Sequence, residues 1–485
     1  MNKYFPMVGR IEYRPEAGPE ETCVFRHYNA SETVHGRTME EWLRFSPCYF
    51  NLFRYMGTDN QCGERTHQRP WDDGLNYNTK TRYPMAPDDI YGERAHCQPH
   101  VAQTQMHPLL NWEDGSRSIE NYKRRMCAAF EFFSKLGVKY YSASDRDLAP
   151  EGNNLEETNR YLEEATAMAC DLQRTTGIRP LYFSADLFSH PRYMNGAATN
   201  PDAHVFSHAC AQVKRAMDVA KRLNAENFVF FNPRDGYQSP LQRQMYRDMT
   251  HLGHLYRMAV QYREKIGFRG QLMIQPKPYD PLRCQYESCS MSTMHILRHF
   301  GLERHFKLYI KPAWSRMMGR PYYHDVYMAS AFNMLGMVDA SDSLPGTYGS
   351  SDVSARDVHD AATVMKCVLE QGGFQSGGFT MGCHLRRESI EPRDMFHAMI
   401  LSMDTFARAL KIASKMITDG HYARNLQQRY VSYKAGIGER LDKGASSFEE
   451  CEDYIRKYGE PIPQSSQHER FENMFNSYVY PSCPF

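Results

Sequence analysis

The sequence has no excess charge, no long apolar run and few tryptophans. Its 485 residues include 58 Lys plus Arg, 57 Asp plus Glu and 4 Trp, and the formal charge is +1. A chain with so little net charge has no bulk field to draw it onto nucleic acid or anionic lipid. The longest strongly apolar runs, such as 228–231, fall far short of the roughly 20 residues that span a bilayer. We therefore expect neither a nucleic-acid nor a membrane partner.

The sequence also lacks a CxxC pair, although it contains 13 cysteines. An odd count in a chain long enough to build a large core argues against a disulfide framework. The N-terminus has neither signal nor transit character. These observations predict reduced thiols and a cytoplasmic protein.

A repeated strand-then-helix pattern is what the sequence does contain. Short β-branched or aromatic runs alternate with long amphipathic stretches, as in βα units around a parallel sheet. The predicted strands are 139–144, 180–184, 228–231, 271–274, 306–310, 335–339 and 378–381. Seven or eight such units that close on themselves form a TIM barrel, with functional residues at the C-terminal strand ends. An open doubly wound sheet shows the same alternation, but its GxGxxG fingerprint is missing.

Strand signals cease after about residue 395, and the remainder is predicted to be helical. We therefore divide the α/β chain into an N-terminal segment (1–40), a TIM barrel (41–395) and a C-terminal helical arm (396–485). The arm cannot add strands to the barrel. We expect it to pack along the outside of the barrel or across a neighbouring subunit.

Several stretches resemble the xylose isomerase family, in particular its longer class. They are LRFSPCYFNLFR (43–54), RPWD (69–72), DRDLAPEG (145–152), LFSHPRYMNGAATNPD (187–202) and MDTFARALKIA (403–413). The resemblance runs over nearly the whole chain. It implies a TIM barrel with an arm that embraces a partner, in a tetramer of tight dimers. It also implies a hydride shift from aldose to ketose, promoted by two divalent ions, usually magnesium, manganese or cobalt.

The family's metal-binding motifs are altered in this sequence. IEPKP reads IQPKP, IEANH reads IKPAW, DTD reads SSD and NFDAK reads TMGCH. Two ligand positions keep an aspartate, and these are Asp339 and Asp352. Five are replaced, by Gln275, Lys311, Trp314, Ser350 and Gly382. Two carboxylates and one ammonium give a ligand charge of −1 where the family's six carboxylates give −6, and an ammonium repels a dication. We therefore expect no metal cofactor.

The family's catalytic and sugar-binding positions have changed as well. FHDRD reads ASDRD, so Ser144 stands in place of the histidine associated with ring opening, and serine is no base near neutral pH. We therefore treat Ser144, Asp147 and Lys277 as degenerate catalytic positions. A remnant of a sugar pocket is predicted at Trp71, Tyr182, Phe231 and Lys277. The simpler interpretation makes Lys277 a partner for nearby acids and Trp71 a core aromatic.

These changes predict a catalytically inactive family member, a pseudoenzyme with a structural or assembly role. We expect a homo-oligomer, either dimer or tetramer, that can form part of a larger protein assembly. Two alternatives stay open. One is a sugar-binding or regulatory subunit without turnover, since a barrel mouth with Tyr, Trp and Lys can bind polyols. The other is an active aldose–ketose isomerase with a rebuilt site.

Overall fold

The structure is a computed structural model that describes residues 3–54, 116–279, 284–343, 353–385, 389 and 391–480. Within these ranges, eight parallel strands form one sheet. They are β1 (Ser46–Pro47), β2 (Tyr140–Ser144), β3 (Arg179–Ser184), β4 (Asn227–Phe230), β5 (Gln271–Ile274), β6 (Phe306–Ile310), β7 (Leu335–Asp339) and β8 (Phe379–Met381).

Pairing in the sheet runs from β2 through successive strands to β8, which pairs with β1. A parallel bridge between Cys48 and Ser142 joins the β1 end to β2, and the Ser46 and Ser142 hydroxyls are 2.6 Å apart. The sheet therefore closes on itself. The prediction of a TIM barrel is confirmed by this topology.

Each strand is followed by a helix on the outside of the barrel. These helices are α1 (Ile119–Leu136), α2 (Leu155–Thr176), α3 (Ala203–Arg222), α4 (Met245–Ile266), α5 (Ser290–His299), α6 (His324–Ala331), α7 (Val358–Glu370) and α8 (Pro392–Asp419). Local sequence sets their limits. The Ser118 side chain accepts a hydrogen bond from the Asn121 amide and starts α1, and Gly137 at φ 80° ends it.

Shorter elements surround the barrel. Short helices span Met39–Leu43, Asp145–Leu148 and Pro312–Met317, and a π-helix spans Phe50–Arg54. Single-turn 3₁₀ helices span Pro191–Tyr193, Pro240–Gln242 and Val431–Lys434. Antiparallel pairs join Thr33–Val34 to Arg37–Thr38, Gly236–Tyr237 to Cys284–Gln285, and Ser341–Asp342 to Val353–Ser354. The last two pairs build on the ends of β4 and β7, so they border the mouth, by which we mean the barrel end where the strands have their carboxyl termini.

The C-terminal arm consists of α9 (His421–Arg429), α10 (Gly436–Asp442), α11 (Phe448–Tyr458) and α12 (His468–Val479). Its last helix packs on the barrel, where the ring centroid of Phe475 lies 4.0 Å from that of His359. By contrast, Phe448 is 93% exposed and Ile462 is 88% exposed. In the part of the chain that is described, no helix is long and apolar enough to cross a membrane. The domain limits at residues 40 and 395 stay a prediction.

Candidate active site

Three residues at the ends of neighbouring strands contact one another at the mouth. They are Lys311, Asp339 and Gly382. The Lys311 ammonium, just after β6, lies 3.7 Å from Oδ1 of Asp339 at the end of β7 and donates a hydrogen bond of 2.7 Å to the Gly382 carbonyl. The Gly382 amide in turn donates to Asp339 Oδ2 at 3.0 Å. A Cβ at position 382 would stand 2.6 Å from that oxygen and 3.1 Å from Lys311 Nζ, so only glycine fits.

The Asp339 carboxylate is fully buried and held by several further donors. The Tyr309 and Thr380 hydroxyls each donate to Oδ2 at 2.7 Å, and the Ser341 hydroxyl donates to Oδ1. A buried charge costs several kcal/mol unless it is paired and hydrogen-bonded. Here Lys311 supplies the positive charge, and the hydroxyls and the Gly382 amide satisfy the oxygen lone pairs.

A second lysine lies against aromatic rings beside this group. The Phe231 and Trp314 rings stack at 5.9 Å and 14°. The Lys277 ammonium nitrogen is 5.5 Å from the Phe231 ring centroid and 5.2 Å from that of Trp314. Burial lowers the pKa of Lys277 well below its usual value, and the positive charges of Lys311 and Arg234 lower it further. Lys277 is therefore suited to act as an amine base.

Glu287 is a buried acid close to the mouth that sequence reasoning missed. Its backbone carbonyl accepts a hydrogen bond from the Lys277 amide at 2.9 Å, and its carboxylate accepts from the Tyr256 hydroxyl at 2.7 Å. Burial, helped by the charge of Asp235, raises the pKa of Glu287 to about 8. No motif marks this residue, because its burial depends on how the segment after β5 folds over the barrel.

The positions after β2 form an ion-pair cluster. The Ser144 amide and hydroxyl both donate to Asp147 Oδ2, at 2.6 Å and 2.9 Å. Arg54 lies 3.3 Å from Asp147 and 2.5 Å from Asp186, and all three are buried or nearly so. The arrangement caps the short helix after β2 and ties it to β3. Ser144 and Asp147 therefore have a structural role, which is to stabilise the short helix after β2.

Two further predicted residues, Gln275 and Tyr182, belong to the barrel. The backbone N–H of Gln275 donates a hydrogen bond of 2.9 Å to the Phe230 carbonyl. Gln275 therefore lies directly after β5 and beside the end of β4. Tyr182 lies inside the barrel with its ring 5.7 Å from that of Tyr309. Trp71, Ser350 and Asp352 lie outside the described residues.

The donor set at the mouth is poor in the oxygen ligands that a divalent ion requires. Among the described residues, no group of three or more His, Cys, Asp or Glu side chains could hold a metal ion. Hard divalent ions need several oxygen ligands. At the family's bridging position Lys311 presents an ammonium, and the Asp339 lone pairs already accept donors. These residues by themselves therefore do not fit the family's pair of ions.

Fold and site together define a TIM barrel with acidic and amine groups at the catalytic end of the strands. Comparison with known proteins gives the family. The chain is 36% identical to a xylose isomerase of Arabidopsis thaliana over 474 residues, 98% of this chain and 90% of that protein. It is 37% identical to a xylose isomerase of Rhodopirellula baltica over 480 residues, 98% of this chain and 99% of that one. The chain belongs to the xylose isomerase family.

Two further similarities each cover part of the chain. A family described as the XylA2 C-terminal domain matches residues 426–479, which lie in the arm. Among solved structures, a xylose isomerase domain protein from Alicyclobacillus acidocaldarius is 10% identical, with a TM-score of 0.42. The alignment covers 63% of this chain and 96% of that one.

The expectation of an inactive pseudoenzyme with a structural role is wrong. The relatives that align with nearly the whole chain are xylose isomerases, which are enzymes. The error lay in equating replaced ligands with lost turnover. The mouth retains titratable groups in Lys277, Lys311, Glu287 and Asp339.

The expectation of no metal cofactor is wrong on the same ground, because this family normally uses divalent cations. The charge comparison behind that expectation covered seven sequence positions only. Two of them, Ser350 and Asp352, fall in a range that the structure does not describe. The described donors are therefore not a complete ligand set.

Proposed function

We propose that the protein is an aldose–ketose isomerase that acts on xylose, with a site rebuilt around Lys277 and Lys311. The observation that carries this proposal is the 34–37% identity to xylose isomerases over 98–99% of the chain. The two lysines support it, because they lie at the barrel end where TIM-barrel enzymes hold their catalytic groups.

The chemistry requires one hydrogen to move from C2 to C1 of the open sugar and one proton to move from the C2 hydroxyl to O1. A neutral Lys277 amine removes the C2 proton, and the C–H electron pair forms the enediolate as the carbonyl electrons move to O1. The Lys311 ammonium stabilises that oxyanion by charge. Lys277 returns its proton to C1, and transfer of the hydroxyl proton to O1 completes the ketose.

Sugar binding requires the Trp314 ring to move. The cavity lined by Lys311 and Trp314 has a volume of about 10 Å³, which is room for one water. The Trp314 ring that lines it also stacks on the Phe231 ring. A swing of Trp314 away from Phe231 would open this space and expose Lys277 to the sugar.

The test is formation of xylulose from xylose by the purified protein, with magnesium, manganese or cobalt added and, in parallel, with a chelator. Lys277→Met is expected to lower kcat by about 100-fold or more, the usual contribution of a positioned base. Lys214→Met, on the exposed side of α3, is the matched control and should leave kcat unchanged. Absence of xylulose above the buffer background under all conditions would overturn the proposal.

We further propose that the protein is a cytoplasmic homo-oligomer, dimer or tetramer, joined through the arm. Exposed apolar side chains of the arm such as Phe448 and Ile462 support this, because contact with a second copy of the chain would remove them from water. The cytoplasmic location is supported by the cysteines: each one in the described ranges is a free thiol.

A further inference from the structure

A cavity of about 400 Å³ lies between the N-terminal segment and α8, away from the residues of the mouth. Arg26 and His27 line it from the segment, and His397, Asp404 and Arg408 line it from α8. Its volume falls within the roughly 300–1,000 Å³ of small-molecule sites. None of these residues belongs to the site proposed for isomerisation.

The two arginines of this cavity have only neutral partners among the described residues. The Arg26 guanidinium donates to the backbone carbonyls of Ala17, Gly18 and Glu21, and the Arg408 guanidinium donates to the Val479 carbonyl at 3.0 Å. Neither makes an ion pair with a carboxylate in the described ranges. Their carbonyl partners fix the guanidinium groups in place but carry no formal negative charge to offset them.

The acid of the cavity does not balance this charge. Asp404 accepts hydrogen bonds from the backbone amides of Arg26, His27 and Tyr28 at 2.8–3.0 Å, so it is held as a cap for that segment. Two guanidinium groups and one carboxylate leave a net charge of +1, and protonation of a histidine increases it. Burial lowers the pKa of His27, and the charges of Arg408, Lys411 and Arg26 lower it further while Asp404 opposes them. The cavity therefore has a positive potential.

We propose that this cavity binds a phosphorylated small molecule. A guanidinium matches the geometry of phosphate oxygens and makes charge-assisted hydrogen bonds with them. The volume exceeds what a phosphate ion alone requires. The rest of the ligand would lie against the apolar wall formed by Val358, Ile400 and Leu401.

The test is calorimetric titration of the full-length protein with ribose 5-phosphate, inorganic phosphate and uncharged ribose. We expect ribose 5-phosphate to bind at least tenfold more tightly than inorganic phosphate, with an affinity that falls as salt is raised. Uncharged ribose should give no heat at the same concentrations. Equal binding of ribose and its phosphate, or no binding of either, would overturn the proposal.

A variant that adds a negative charge to the cavity tests whether the phosphate group binds there. Leu401 lines the cavity, is 43% exposed and lies on α8, so Leu401→Glu adds a carboxylate without removing core packing. We expect this variant to bind ribose 5-phosphate at least tenfold more weakly. Leu426→Glu, at a similarly exposed leucine of α9, is the matched control and should bind as the parent does.

The other possible occupant of the cavity is a second copy of this chain. In that case Leu401→Glu would lower the mass in light scattering, and ribose 5-phosphate would not bind the parent protein. This combination would overturn the proposal. An unchanged mass with weakened phosphate binding would support it, whatever the result of the isomerase assay.

Discussion

The Lys311 ammonium lies 3.7 Å from the Asp339 carboxylate, at the position where the family has a bridging glutamate. Its hydrogen bond goes to the Gly382 carbonyl, so a single side chain links the ends of β6 and β7 to the residue after β8. This proximity follows from the strand order, because neighbouring strands of a barrel end side by side. The choice of the carbonyl as acceptor was not predicted, and it leaves the Asp339 oxygens to hydroxyl and amide donors.

Lys311→Met is expected to lower the free energy of unfolding by about 3 kcal/mol, since it leaves the buried Asp339 charge without a counter-charge. The measurement is urea denaturation at neutral pH. Lys443→Met, in an exposed pair with Glu439, serves as the control and should change stability by less than about 0.5 kcal/mol. A loss below about 1 kcal/mol for Lys311→Met would show that Asp339 needs no ammonium.

Gly382→Ala should also destabilise the protein, by about 1–3 kcal/mol, because the added methyl group meets Asp339 Oδ2 and Lys311 Nζ. The same denaturation experiment measures it. Gly9→Ala is the matched control, since a Cβ there meets no atom within 4 Å. Equal stability of the two variants would mean that the mouth is looser than the structure shows.

Glu287 should make stability fall as pH rises from about 4.5 to about 8. Its pKa is about 8 in the folded protein and near 4.5 when unfolded, so in this window the folded state holds a proton that the unfolded state has lost. The slope approaches at most about 1.4 kcal/mol per pH unit. Glu287→Gln should flatten the slope in a series of denaturation curves, whereas the exposed Glu264→Gln should not. A profile unaltered by Glu287→Gln would refute the raised pKa.

The arm should hold the oligomer together through its exposed apolar side chains. Phe448→Ser, at a residue that is 93% exposed, is expected to shift the mass measured by light scattering toward smaller species. Leu155→Ser, at an exposed position of α2, is the control. If both variants keep the parent mass, the contact between subunits does not depend on Phe448.

Most of the barrel could be predicted from the sequence. The predicted strand 335–339 coincides with Leu335–Asp339, and 271–274 and 306–310 coincide with β5 and β6. These strands are continuous buried runs, which is how strands of a parallel sheet are recognised. The first strand, Ser46–Pro47, was missed because two residues that include a proline carry no periodicity.

The site was less predictable. Lys311, Asp339 and Gly382 could be placed together because each follows a recognised strand. The stacking of Trp314 on Phe231 and the burial of Glu287 depend on how loops fold over the mouth, and local sequence does not encode that. The prediction of an inactive protein was wrong for another reason. The number of replaced metal ligands shows only how far the site departs from the family's two-metal mechanism. Isomerase activity depends on all the groups that line the site.

The two-residue strand β1 decides whether the sheet has free edges. It joins β8 to β2 through two pairings and the hydroxyl contact between Ser46 and Ser142, which lie 96 positions apart in the chain. Contacts so distant in sequence are slow to form, since a long loop must close first. Until β1 docks, β2 and β8 each present unpaired backbone groups that another chain can capture. The barrel is therefore most prone to aggregation during synthesis and refolding, before β1 has paired. Pairing of β1, the shortest strand of the sheet, removes the two free edges and with them this risk.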